Sequence, residues 1–260
     1  MYEEIFNEIK IALKEAMDEV YAIYEKGFAV EYKEDDSPVT TADLRSNAII
    51  RSHLSKFSDI AWLGEEDADN KERLAKDMVF IVDPLDGTQD FVNHDDCFGI
   101  NIALVKDHKP IMAFIGMPFY GSYCYAVKGQ GAYYVSKIGK EERLHVSSRT
   151  KDLIYLASKT HESQREKDVV AKHQDMIKEV IHQGASIKAY YLACGKGDCS
   201  VRYTSMTKEW DTCAPDLIVK EAGGIFVDSN GKEIVYNRED VYNRDGYSMF
   251  NCSDNMFLLR

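Results

Sequence analysis

Met78-Val79-Phe80-Ile81-Val82-Asp83-Pro84-Leu85-Asp86-Gly87-Thr88 is the stretch from which the rest of the chain can be read. Five consecutive apolar residues bounded by turn formers fit a strand buried on both faces. That strand delivers Asp83 to its end, where Pro84 is expected to stop the ladder. Asp86 then points back beside Asp83, and Gly87-Thr88 opens a helix. Two carboxylates a few ångströms apart repel each other and need a cation or a shared proton. A hard divalent ion such as Mg2+ takes oxygen ligands and keeps positions for water and phosphate oxygens. The Leu85 carbonyl offers one more oxygen, and the Gly87 and Thr88 amides, at a helix start, suit an anion. The hexapeptide therefore offers metal ligands and a phosphate cradle together. An acidic turn with helix-capping residues would use the same letters.

Working outward, three more acidic clusters share this context at the end of an element beside an apolar run. Residues 59–63 read as a short strand that ends in Gly64-Glu65-Glu66. Thr40 or Thr41 caps a helix carrying Leu44, Ala48 and Ile49, with Asp43 in its first turn. Asp211 follows Trp210 at another helix start. Asp43 and Asp211 alone have an ordinary role at a helix N-terminus; the repeated context is what groups the acids.

The remaining pattern is mixed. Ile5, Ile9, Leu13, Ala16, Val20 and Ile23 line one face of a helix over 3–26, stopped by Gly27. From 98 to 136, apolar runs separated by Lys-Pro and Gly turns predict consecutive antiparallel strands. The second half predicts a strand over 153–157, a helix over 164–182 and a short helix over 188–194. A further helix over 212–222 ends at Gly223-Gly224, and a strand over 225–227 turns at Ser229-Asn230-Gly231. With no linker composition and no repeat, residues 1–260 read as one compact α/β catalytic unit. Its two interlocked halves divide near 145, at about 1–145 and 146–260.

Composition limits the partners. The 260 residues carry a net charge of −12, and the pI is near 5.1. A protein that coats long nucleic acid needs a basic stripe, and one that docks on anionic membrane needs basic clusters. The N-terminal Met1-Tyr2-Glu3-Glu4 has no basic and apolar leader pattern. The six cysteines form no C-x-x-C pair, so the expectation is free thiols in the cytoplasm. No histidine–cysteine spacing fits zinc.

Phosphate chemistry has several sequence forms, and most are absent. There is no G-x-x-x-x-G-K-[ST] and no G-x-S-x-G. Asp83 and Asp86 are three apart, unlike the D-x-D-G-T of aspartyl-phosphate enzymes, which favours metal-activated water. Gly64-Glu65-Glu66, Asp83 to Thr88, and Trp210-Asp211 with Glu221-Ala222-Gly223-Gly224 together resemble the signatures of the inositol monophosphatase superfamily. The resemblance runs from about 30 to 253. In finer detail it resembles the 3'(2'),5'-bisphosphate nucleotidase branch, through Lys33 to Asp43, Ser158-Lys159-Thr160-His161, Gly184-Ala185-Ser186-Ile187-Lys188 and Glu209-Trp210-Asp211-Thr212.

The resemblance implies a layered α-β-α-β-α sandwich and Mg2+-dependent hydrolysis of a phosphomonoester with two or three ions. It implies Glu65, Asp83, the Leu85 carbonyl, Asp86 and Asp211 as metal ligands. Asp43 and Thr88 would orient and deprotonate the attacking water, with Glu66 assisting. Substrate contacts would come from Gly87, Thr88, His161, Ser186, Lys188, Arg202 and Asp211. The expected reaction converts 3'-phosphoadenosine 5'-phosphate to AMP and phosphate, with lithium sensitivity on family grounds. The family also admits a homodimer. The competing readings are an inositol or sugar-phosphate monophosphatase on the same metal site, and a non-catalytic protein that binds metal or a phosphometabolite. Departures from the pattern fall around the substrate. They are Gln89-Asp90, Ala185 where serine is common, the run Tyr203 to Lys208, and Cys213-Ala214-Pro215-Asp216, which puts a proline early in a helix.

Overall fold

In a computed structural model that describes residues 1–32 and 38–259, the described residues form six α-helices and fourteen β-strands. The first half contains α1 (Tyr2–Lys26), β1 (Val30–Tyr32), β2 (Pro38–Thr40), α2 (Thr41–Leu54), β3 (Ala61–Gly64), β4 (Met78–Asp86), α3 (Thr88–Val92), β5 (Gly99–Lys106), β6 (Lys109–Met117), β7 (Ser122–Val127), β8 (Gly131–Val135) and β9 (Glu141–Arg143). The second half contains β10 (Leu153–Ser158), α4 (Gln164–Lys172), β11 (Ile177–Gln183), α5 (Ile187–Ala193), β12 (Cys199–Arg202), α6 (Glu209–Glu221), β13 (Ile225–Val227) and β14 (Tyr247–Phe250).

Side-chain alternation along β4 sets the layering, because successive residues of a strand face opposite sides. Phe80 and Val82 pack with Ile5, Ile9 and Leu13 of α1 and with Ile50 and Leu54 of α2. Val79 and Ile81 pack the other way, against Leu192 of α5 and Cys213, Leu217 and Ile218 of α6. Both faces of the strand are therefore covered, as its unbroken apolar run requires. It lies next to the edge of a seven-stranded sheet ordered β3-β4-β5-β6-β7-β8-β9, in which only the β3–β4 pairing is parallel.

A five-stranded sheet, β11-β10-β12-β14-β13, forms the next β layer. Phe226 and Met249 face α6 across the central core. Tyr155 and Ala157 face the outer side, against Val169 and Val170 of α4. The order is helices, sheet, helices, sheet, helix, which is the α/β layered class the resemblance implies. Each fully buried Ile or Leu in these seams stabilises the fold by about 1.5–3 kcal/mol.

Polar locks cross the layers where they bear on α6. The Arg73 guanidinium is 2% exposed. It binds both Asp69 oxygens at 2.7 and 3.0 Å, Asn237 Oδ1 at 2.7 Å and the Arg238 carbonyl at 2.8 Å. Glu209, at the start of α6, accepts from the amides of Asn237 and Arg238 at 2.6 and 2.8 Å. The two contacts together anchor the N-terminal turn of α6.

Several expectations need correcting. The helix expected over 164–182 ends at Lys172, and Ile177–Gln183 is instead an edge strand pairing in parallel with β10. Its β-branched residues, Ile177, Val180 and Ile181, suit that strand, and periodicity over so short a run does not separate the two states. In α2, Leu44 is 54% exposed; the buried face is Ala42, Asp43, Ser46, Ile50 and Leu54. Polar Asp43 and Ser46 displace the expected apolar stripe because both make hydrogen bonds to the Asp83–Thr88 segment. Pro84 does not end β4 either. Pairing skips from Asp83↔Asn101 to Asp86↔Gly99, a bulge with one extra residue on the β4 side. The helix expected to survive its early proline does so, with Pro215 inside α6. All six cysteines are free thiols. No helix among the described residues is long and apolar enough to cross a membrane.

Candidate active site

The bulge in β4 turns the Asp83–Thr88 segment into a corner. The Leu85 amide donates to Asp83 Oδ1 at 3.1 Å, so the Asp83 carboxylate is held by its own turn. Ser46 Oγ of α2 donates to the Pro84 carbonyl at 2.7 Å, bracing the corner from behind. Gly87 follows at φ +87°, where a side chain would be strained, and a Cβ there would stand 2.9 Å from the Cys97 carbonyl oxygen. The chain then reverses into α3, and Thr88 is the first helical residue.

Thr40 caps α2 and fixes Asp43. The Thr40 amide and hydroxyl each donate to Asp43 Oδ2 at 2.7 Å. The other carboxylate oxygen, Oδ1, lies 3.0 Å from Thr88 Oγ1, which is also 3.0 Å from the Leu85 carbonyl oxygen. Asp43 is 1% exposed. Burial raises its carboxyl above the usual range, against the pull of the Thr40 and Thr88 hydrogen bonds.

Asp83, Asp86 and Asp211 each present a carboxylate oxygen, all within 4.8 Å of one another. Asp86 is gripped by Asn101 Nδ2 at 3.0 Å and by the Ser186 amide at 2.7 Å. Asp211 reaches back to the Lys208 amide in the capping box that starts α6. Glu65 follows β3, where its amide donates to the Val82 carbonyl at 3.2 Å and places it beside the end of β4. Burial pushes Asp83 well above the carboxylate range, and the charges of Glu65, Asp86, Asp211 and Asp43 push the same way. Burial likewise raises Asp211, seconded by Asp86 and Glu65. An all-oxygen donor set whose members destabilise one another when charged fits a hard divalent cation such as Mg2+.

The acids share a cavity of about 450 Å³ with cationic groups from the second half of the chain. Lys188 is 4% exposed and donates to the Gln183 and Ala185 carbonyls at 3.2 and 3.1 Å. Burial, aided by the Arg202 charge, lowers its ammonium to about 8. Arg202 Nη1 donates to the His161 carbonyl at 2.9 Å and to Glu166 Oε2 at 2.8 Å. Asp90 also reaches the cavity wall, and burial raises its carboxyl to about 6.

Of the residues singled out in the sequence, Glu65, Asp83, Leu85, Asp86, Gly87, Thr88, His161, Lys188, Arg202 and Asp211 all line this cavity. Asp43 stands behind Thr88. Ser186 is behind Asp86 and offers it a backbone N–H. Glu66 is half-buried in the turn after Glu65 and is not on the cavity wall. The Lys33–Ser37 part of the nucleotidase-like motif lies outside the described residues. Sequence reasoning missed Glu166 and Asn101. Glu166 had a signal in Ser163-Gln164-Arg165-Glu166, a capping-box spelling; Asn101 had none, since it sits inside an apolar strand.

Comparison with known proteins bears on the family and the fold. Residues 1–249 match the Inositol monophosphatase family. The 3'(2'),5'-bisphosphate nucleotidase CysQ of Aggregatibacter actinomycetemcomitans is 31% identical over 245 residues, covering 93% of this chain and 90% of the relative. The corresponding protein of Haemophilus influenzae is 29% identical, covering 92% and 90%. Among solved structures, CysQ from Bacteroides thetaiotaomicron superposes with a TM-score of 0.83 at 29% identity, covering 94% of this chain and 95% of that one. The extragenic suppressor protein suhB from Bartonella henselae superposes at 0.84 with 24% identity, covering 98% and 97%, and bears on the fold.

Proposed function

Since this chain belongs to the inositol monophosphatase family and is a phosphoric monoester hydrolase, we propose that it hydrolyses 3'-phosphoadenosine 5'-phosphate to AMP and phosphate with Mg2+. The observation that carries the choice of substrate is the pair of buried cations, Lys188 and Arg202, in the same cavity as the acidic cluster. A simple monophosphate has one anionic group, and the acidic cluster with its cations serves that one. Lys188, and the Arg202 fork whose charge is balanced by Glu166 but whose other nitrogens face the cavity, offer donors for a second anionic group elsewhere on the substrate.

Glu65, Asp83, the Leu85 carbonyl, Asp86 and Asp211 would hold two or three Mg2+ ions. Bound there, Mg2+ lowers the pKa of a coordinated water and offsets the charge that grows on the phosphoryl oxygens. Thr88 and Asp43 prepare the attack. The Thr88 hydroxyl donates to Asp43 Oδ1, which leaves an Oγ1 lone pair to accept from the attacking water. Asp43, raised by burial, then takes up proton charge through that hydroxyl as the oxygen–phosphorus bond forms. Glu66 assists from the adjoining turn. Asp211 adds a contact to the substrate, as does the Gly87 amide, while Ser186 serves the site through its amide on Asp86. His161, at the cavity rim, meets the nucleoside part. The free thiols and acidic balance suit a cytoplasmic enzyme acting on a small metabolite.

The test is phosphate release by the purified protein with Mg2+ on 3'-phosphoadenosine 5'-phosphate, inositol 1-phosphate, fructose 1,6-bisphosphate and NADP. The expected result is the highest kcat/KM on the first. Faster hydrolysis of inositol 1-phosphate would replace this substrate with an inositol or sugar phosphate, and Mg2+ binding without turnover on any of them would make the protein a binder.

A further inference from the structure

Glu166 sits outside every motif that points to the site, yet its carboxylate meets more of the site's framework than any cap requires. It is the third residue of α4, and its ordinary role there is complete: the Ser163 amide donates to Oε2 at 2.8 Å, and the Glu166 amide donates back to Ser163 Oγ. A capping glutamate can do this in solvent. Glu166 is instead 1% exposed. Its Oε1 accepts the Tyr203 amide at 2.8 Å, and its Oε2 also accepts Arg202 Nη1 at 2.8 Å. Next to it, the Arg165 guanidinium lies over the Tyr203 ring, 3.6 Å from the centroid. The first turn of α4 thus clasps the exit of β12 at two successive residues.

Stability does not explain the ion pair. Taking both charges out of water costs about as much as their attraction returns, so an apolar pair of similar volume would serve the fold as well. Geometry explains it better. Both N–H bonds of Arg202 Nη1 are occupied, by Glu166 and by the His161 carbonyl. A guanidinium is planar, so fixing one nitrogen on two acceptors fixes the whole fork. Among the described residues, no hydrogen-bond acceptor stands on Nε or Nη2, and Arg202 lines the cavity.

We propose that Glu166 is a positioning residue that sets the Arg202 fork to receive the phosphate of the substrate distant from the bond that breaks. The inference rests on the substrate reading above. Glu166 touches no substrate; it holds an arginine whose rotamer freedom would otherwise be lost on binding.

The experiment compares 3'-phosphoadenosine 5'-phosphate with adenosine 3'-phosphate, which has the same scissile bond and lacks the distant phosphate. Glu166→Gln keeps length and loses charge; Glu166→Asp keeps charge and loses reach; Arg202→Ala sets the full loss. The expected result is a fall of about tenfold in the ratio of kcat/KM for the two substrates in each Glu166 variant. The change should sit in KM for the bisphosphate, and adding Arg202→Ala to Glu166→Gln should cost little more than Arg202→Ala alone. Thermal melting reports whether each variant folds. A wild-type ratio near one would sink the substrate reading and this inference together. A discriminating wild type whose Glu166 variants lose equally on both substrates, or whose double variant shows additive losses, would overturn this inference alone.

Discussion

Asp83→Asn should inactivate the enzyme and, in the absence of divalent ions, make it more stable. Asp83 shares the 4.8 Å cluster with Asp86 and Asp211. At that separation and an effective dielectric of about 20, one pair of unit charges costs about 3.5 kcal/mol. Asp83 takes part in two such pairs, and Glu65 and Asp43 add to them. Protonation limits the penalty. A carboxyl with an unfolded pKa near 3.9 escapes the repulsion by holding a proton, which costs about 4 kcal/mol at pH 7. Asparagine keeps the Oδ1 acceptor that the Leu85 amide uses and removes the charge. The gain should be about 2–4 kcal/mol, or roughly 4–8 °C in melting temperature for a chain of this length.

The sign with pH follows from the same cause. Because the folded pKa is raised, the contribution to stability is fully present below the unfolded value near 4 and is lost as pH rises through the folded value. Metal-free wild type should therefore weaken from about pH 4 toward neutrality, with a shallower slope in the variant. Calorimetry in EDTA across pH 4–8, repeated with Mg2+, measures both proteins. Mg2+ should raise the wild-type melting temperature much more than that of Asp83→Asn. A variant that is less stable than wild type in EDTA would refute the electrostatic argument, and turnover retained at ordinary Mg2+ would refute the site.

Three other perturbations address separate parts of the molecule. Thr88→Val removes the hydroxyl between Asp43 and the Leu85 carbonyl while keeping its shape; kcat should fall on the order of 100-fold or more, with Thr88→Ser largely active, and a valine variant at near-wild-type kcat would exclude the relay. Lys188 carries its charge below about pH 8 and loses it above, so kcat/KM for the bisphosphate should fall as pH rises through that value. The step should be missing in Lys188→Ala, and its persistence there would assign it to another group. Arg73→Ala leaves Asn237 Oδ1 and the Arg238 carbonyl without their donor; urea unfolding should show a loss of about 1–3 kcal/mol, and no loss would mean water replaces the guanidinium.

The sequence is most legible where chemistry is local. Asp83, Leu85, Asp86, Gly87 and Thr88 lie on one corner, so their spacing carries their geometry. It is least legible where a residue serves a distant partner. The buried face of α2 reads as solvated, because Asp43 and Ser46 look polar until Thr88 and Pro84 are seen against them. The edge strand β11 reads as helix because its partner β10 lies more than twenty residues back. The clasp between Glu166 and Arg202 spans 36 residues, and no periodicity encodes it.

The same distinction bears on the opening corner itself. Asp83, Asp86, Glu65 and Asp43 come from the first half of the chain, whereas Lys188, Arg202 and His161 come from the second. Asp211 is the exception, and its helix shows how the two sets meet. The apolar face of α6 packs on the seven-stranded sheet through Cys213, Leu217 and Ile218, while Glu209 ties its start to Asn237 and Arg238. The helix therefore presents Asp211 at a position fixed by both. An acidic corner alone repels phosphate, and the two buried cations alone would have no reacting centre beside them. Only the packed pair of sheets puts a metal-seeking cluster and an anion-seeking pair in one cavity of about 450 Å³. A net charge of −12 is therefore compatible with the proposed substrate, because the part of it that faces the cavity is a cluster whose charge a divalent cation would offset.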